Sequence, residues 1–235
     1  MQSVVNAKLV SRNAKIGQYL NLASLAIILV GFFITLRAQT YIAYSYIAIF
    51  VGLVMFMIGT YFTNRWGRTP PAHEVLDKNL KGLGREFIVY HHVTPASHLL
   101  VSPAGIWALL PYYQSGIISY EKKRWRAKGG GFMQAYLRFF GPESLGRPDL
   151  EANSEIQAIQ RHLTRIMPEG TSLPEVNAVL IFVNPRVEIH PNDSPQPALL
   201  SKDLKEFLRQ KAKEKPISQS VVELIQNALP PPENE

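Results

Sequence analysis

Two uncharged apolar runs near the start of the chain constrain it more than any other feature. Tyr19 to Leu36 and Tyr41 to Phe62 contain no Asp, Glu, Lys or Arg over 18 and 22 residues. At about 1.5 Å per helical residue they reach roughly 27 and 33 Å, against a hydrocarbon core of about 30 Å. Buried helices of soluble proteins seldom stay apolar on every face for so long. The linker Arg37-Ala38-Gln39-Thr40 leaves room only for a tight turn, so a transmembrane α-hairpin is expected at about 19–36 and 41–62. A signal peptide with Lys8, Arg12 and Lys15 as its charged region is the competing reading. No small-x-small cleavage site follows, and the second run begins almost at once.

Charge is distributed to match. The chain has 25 Lys and Arg, 18 Asp and Glu and a net charge of +7. Residues 1–70 hold Lys8, Arg12, Lys15, Arg37, Arg65 and Arg68 and no acid, so the remainder is nearly neutral. A globally basic nucleic-acid-binding domain is therefore not indicated. Lys8, Arg12 and Lys15 precede the hairpin, Arg65, Arg68, Lys78, Lys81 and Arg85 follow it, and its loop has only Arg37. The positive-inside rule then puts both termini in the cytoplasm. Tyr41, Tyr44 and Tyr46 at one end, with Tyr61, Phe62 and Trp66 at the other, suit the two interfaces. Ala48-x-x-x-Gly52 is a small-x-x-x-small pair suited to close helix packing. With no charge inside either run, the segment anchors and offers no ion pathway.

Residues 71–229 read as one α/β (α+β) domain, with Pro230 to Glu235 as a disordered acidic tail. Thr69-Pro70-Pro71 ends the second membrane helix. Helical periodicity covers 72–83, 149–167, 201–213 and 218–229, and strands are expected at 87–93, 99–101, 106–110, 116–120 and 176–183. Gly129-Gly130-Gly131 and the stretch from Gly141 to Pro148 predict a loop region. The absence of cysteine excludes disulfides, thiol nucleophiles and Cys-ligated metals. Lys81-Gly82-Leu83-Gly84 precedes a strand and is a helix stop rather than a dinucleotide loop. No nucleophile elbow is present. The six histidines lack metal-ligand spacing. His91 and His92 are adjacent on an expected strand, which would direct them to opposite faces. Lys122, Lys123, Arg124, Arg126 and Lys128 form the densest basic stretch after the hairpin. A solvated loop is its plain reading; contact with phosphates of nucleic acid or anionic lipid is the functional one.

One segment carries a more specific pattern. Ser97-His98-Leu99-Leu100-Val101-Ser102-Pro103-Ala104-Gly105-Ile106, the strand to Leu110-Pro111-Tyr112, and Gly116 resemble the core of the NERD (nuclease-related) domain family. The resemblance spans roughly Ala72 to Leu229, including Trp125, the helix from Asp149 and the strand Asn177–Val183. It implies a restriction-endonuclease-like fold. In that family an Asp and a Glu hold a divalent cation and a Lys assists the attacking water. Ser97, Leu110 and Tyr112 stand at the Asp, Glu and Lys positions here; Leu supplies no ligand to Mg²⁺ and Ser a poor one. The resemblance thus implies a catalytically degenerate domain with no catalytic, cofactor or metal residues, bound to the bilayer and serving as a binding or scaffolding module for a protein partner. The alternatives are an active metal-dependent nuclease drawing on Glu74, Glu86 or Glu121, and a structural subunit of a membrane complex.

Overall fold

The structure is a computed structural model that describes residues 1–37, 39–128, 145–168 and 170–232. It divides into two units, one of Ala7–Pro71 and one of Met1–Asn6 with Ala72–Glu235. Most of the expected 129–131 and 141–148 loop region, and the last three residues of the acidic tail, lie outside the described residues.

In the first unit, α1 (Ala7–Arg37) and α2 (Ile42–Trp66) flank a 3₁₀ turn at Gln39–Tyr41. Both are long and apolar enough to cross a membrane. They extend beyond the apolar runs because Lys8, Arg12 and Lys15 sit among residues that tolerate helix well. Their packing follows a seven-residue repeat of small side chains. Gly17, Ser24 and Gly31 are the buried positions of α1, with Asn13, and Ser45, Gly52 and Gly59 those of α2. A Cβ at Gly52 would come 2.5 Å from Ile28 Cγ1, and one at Gly31 3.2 Å from Ala48 Cβ. Ala48 and Gly52 therefore both contribute, within a longer seam than their four-residue spacing suggested. Several polar side chains pair inside the unit, although Asn21 Oδ1 is buried without a partner. Asn21 Nδ2 donates to Thr63 Oγ1 at 3.1 Å, and the Thr35 and Ser45 hydroxyls lie 2.9 Å apart. Away from the seam, Tyr19, Phe33, Phe50 and Met57 are each more than 60% exposed, which is the reverse of a soluble core helix.

The second unit is built on a six-stranded sheet ordered β1-β2-β3-β4-β7-β9. Its strands are β1 (Gln2–Val5), β2 (Ile88–His91), β3 (His98–Ser102), β4 (Gly105–Tyr112), β7 (Val176–Phe182) and β9 (Ala198–Leu200). Only β3 runs against the others. The expected N-terminal basic segment ahead of the hairpin includes a strand of this unit, because Gln2–Val5 pairs in parallel with Ile88–His91 and buries Val4. A four-residue edge strand whose partner lies far along the chain carries no local signal of its own.

Ile88 and Tyr90, Ile106, Ala108, Leu110 and Tyr112, and Leu180 and Phe182 line one face, with α4 (Pro148–Ile166) and α6 (Gln219–Ala228) against it. Val89, Leu109, Val179 and Ile181 line the other, with α3 (Ala72–Leu80) and α5 (Leu204–Glu214). Covering both faces explains why β4 and β7 are nearly continuous apolar runs rather than alternating ones. The tight turn between β3 and β4 needs Gly105, whose φ is +118°.

A smaller sheet, ordered β6-β5-β8, uses β5 (Ile117–Glu121), β6 (Arg124–Lys128) and β8 (Glu188–His190). The basic stretch is thus a β-hairpin and not the expected loop. Its turn residues, Lys122 and Lys123, have φ of +50° and +60°, the handedness that two-residue hairpin turns require.

Candidate functional site

The three positions that the resemblance aligns with a metal triad lie at the carboxyl end of β4 and just ahead of β3. Leu110 and Tyr112 point to the same face, as residues two apart on a strand must. They are 5% and 7% exposed, within the core beneath α4. Tyr112 packs on Phe182 with ring centroids 5.6 Å apart.

What faces them is a pair of carboxylates that sequence reasoning missed. Glu151 and Glu155 stand four apart on α4, hence on one side of the helix. The Tyr112 hydroxyl donates to Glu151 Oε2 at 2.7 Å. Ser97 donates through its backbone N–H to Glu155 Oε2 at 3.1 Å and through Oγ to Oε1 at 3.4 Å. Burial, and then Glu151, push the Tyr112 phenol far above its usual range, so it remains a proton donor at any physiological pH. The Glu-x-x-x-Glu spacing was the available signal, but on an amphipathic helix it reads as a solvated face. Among the described residues no three His, Asp or Glu side chains converge as metal ligands.

Glu74, Glu86 and Glu121 do not supply the missing acids. Glu121 accepts from Lys128 at 3.0 Å and Ser119 at 2.8 Å, which hold it below the usual carboxylate range. Glu74 is exposed on α3, across the sheet from Leu110. Glu86 lines a shallow recess with Glu206, Arg209 and Lys213 of α5.

On the α3 face the histidines form a connected group. His91 Nε2 lies 3.0 Å from Asp77 Oδ1, and His91 Nδ1 lies 2.8 Å from His98 Nδ1. His91 and His98 are 0% and 3% exposed. A carboxylate only accepts, so Nε2 of His91 donates to Asp77. The two Nδ1 atoms share one hydrogen bond, whose donor is set by the tautomers of the two rings. His92 does not follow the strand to the opposite face, which corrects the expectation for adjacent residues. Its φ of +57° turns it out of β2, and its ring lies 4.9 Å from that of His98.

His73 on α3 adds a fourth imidazole, 5.9 Å from His91 between ring centroids. Burial, and then His91, lower its pKa, with Glu74 and Asp77 opposing. The folded state therefore keeps His73 neutral where the unfolded chain would protonate it. Stability contributed this way is present above the ordinary value of 6.5 and is lost as pH falls from there to the lowered folded value. Melting curves between pH 7.5 and 5 are expected to fall less steeply for His73→Gln than for the unaltered chain. Parallel curves would remove His73 from the account.

The basic residues are brought together by the hairpin. Arg124, Arg126 and Lys128 project from one exposed face of β6 while Lys122 and Lys123 form the tip. Trp125 points the other way, 5% exposed, with Tyr120 and Phe182 at 5.4 and 6.2 Å. Comparison of the chain with family models, curated proteins and solved structures finds no match.

Proposed function

We propose that this is a membrane-anchored protein whose degenerate, NERD-like α/β domain acts as a non-catalytic binding or scaffolding module on the cytoplasmic face. The observation that carries the reading is the fate of the aligned positions. Leu110 is core, and Tyr112 and Ser97 hydrogen-bond to α4 where the family would hold a cation. Phosphodiester hydrolysis of that kind needs a metal to stabilise charge and a cation beside the water. A buried phenol and a leucine supply neither. The two apolar helices support anchoring. Because Asn6 and Ala72 belong to the same unit, a hairpin spanning the bilayer returns the chain to the side it left. The excess of basic residues on that side favours the cytoplasm.

The purified full chain in detergent is expected to leave DNA and RNA intact in Mg²⁺ or Mn²⁺. Cleavage that persists through purification and disappears in Glu151→Gln or Glu155→Gln would overturn the reading in favour of an active nuclease with relocated acids.

A further inference from the structure

We propose that the β5–β6 hairpin is a second, electrostatic membrane contact, seated on anionic phospholipid headgroups; this rests on the anchoring read above. The sheet topology carries the argument. β1, β2, β4 and β7 run parallel, so their carboxyl ends share one end of the sheet. At that end the chain leaves through Asn6 for α1, and Asn6 N–H donates to the His91 carbonyl at 3.0 Å. The chain also re-enters there, since α3 begins beside His91, its Asp77 bonded to that ring.

The small sheet departs from the same end. β5 follows the end of β4 and β8 follows the end of β7, and the two run in parallel. The hairpin thus extends from the end of the domain that carries both connections to α1 and α2.

Chemistry separates lipid from nucleic acid. Among the described residues no carboxylate forms an ion pair with Lys122, Lys123 or Arg124, and Arg126 acts on Glu121 only from beyond ion-pair distance. Sequence-tolerant nucleic-acid binding relies on exposed aromatic rings for stacking between the cations. Here Trp125 is turned into the core and Tyr120 lies against it. What remains outside is a row of cations at a hairpin tip, suited to a charged plane. Near an anionic surface each Lys or Arg strengthens attachment by about fivefold.

The chain contains no cysteine, so Lys123→Cys gives a single labelling site. The full chain carrying a fluorophore there is incorporated into nanodiscs of phosphatidylcholine alone or with phosphatidylglycerol, each containing a headgroup-linked quencher. Quenching is expected only with phosphatidylglycerol, and is expected to disappear at high salt, where screening is nearly complete. Adding Lys122→Gln, Arg124→Gln and Arg126→Gln should weaken the contact by roughly 100-fold, with unchanged near-ultraviolet dichroism showing an intact domain. Equal quenching in both lipids, indifference to the three substitutions, or displacement by a short duplex in preference to lipid would overturn the proposal. A chain that fails to enter the discs would overturn the anchoring itself. Entry without quenching would reject only the hairpin contact.

Discussion

Leu110→Glu is expected to unfold the α/β domain of the full chain at neutral pH, while Leu110→Met leaves it folded. Leu110 is 5% exposed, pairs with Leu180 and belongs to the core under α4. Losing the apolar burial of a leucine costs about 1.5–3 kcal/mol, and burying an unpaired carboxylate adds several more. That total rivals the roughly 5–15 kcal/mol that holds a typical domain together. Nearby Glu151 would worsen it, since two like charges compete for one site. The methionine variant keeps volume and polarity and should cost less than about 1.5 kcal/mol. Near-ultraviolet dichroism and tryptophan fluorescence report the outcome, because Trp107 and Trp125 are both buried in this unit. A glutamate variant with unaltered melting would mean that position 110 faces solvent or an ion, and the packing account of the aligned site would fail.

Gly52→Leu is expected to break the α1–α2 seam. Even the first carbon of a side chain at Gly52 meets Ile28 Cγ1 at 2.5 Å and the Ser24 carbonyl at 3.2 Å. Overpacking of this kind costs about 1–3 kcal/mol where the helices can shift, and more where they cannot. Shifting also strains the Asn21–Thr63 bond and the Thr35–Ser45 contact, whose loss in lipid has no water to compensate it. The Thr35→Cys, Ser45→Cys pair provides the measurement, because the parent hydroxyls are 2.9 Å apart. Disulfide formation in micelles should slow by roughly tenfold or more in the Gly52→Leu background. Phe50→Leu should leave it unaffected, since Phe50 is 68% exposed. Equal rates in all three would place the helix contact elsewhere.

Legibility in the sequence tracks how local the determining contacts are. The apolar runs, the helix through Ile156, Ile159, Leu163 and Ile166, and the buried strands β4 and β7 announce themselves within a few turns of chain. Hydropathy marks the stretch compatible with lipid, though, and not the ends of α1, which starts at Ala7. The basic hairpin was hidden because Lys122-Lys123 replaces the Asn-Gly that normally signals such a turn. β8 and β9 have three residues each, too few for a period. The resemblance drew attention to Ser97, Leu110 and Tyr112. The candidate site was not legible at Glu151 and Glu155, whose partners arrive from β3 and β4 only in the folded sheet. The histidine group escaped for the same reason, together with the turn at His92 that no residue type advertises.

The edge strand β1 has a consequence in time. Gln2 pairs with Ile88, which is made 86 positions later, with α1 and α2 synthesised in between. At about 5–20 residues per second the first strand waits roughly 4–17 s for its partner. During that wait both apolar helices are made while β2 is still missing. Completion of the sheet edge is thereby ordered after synthesis of both apolar helices, and a chain that ends before Ile88 leaves Gln2–Val5 without its partner strand.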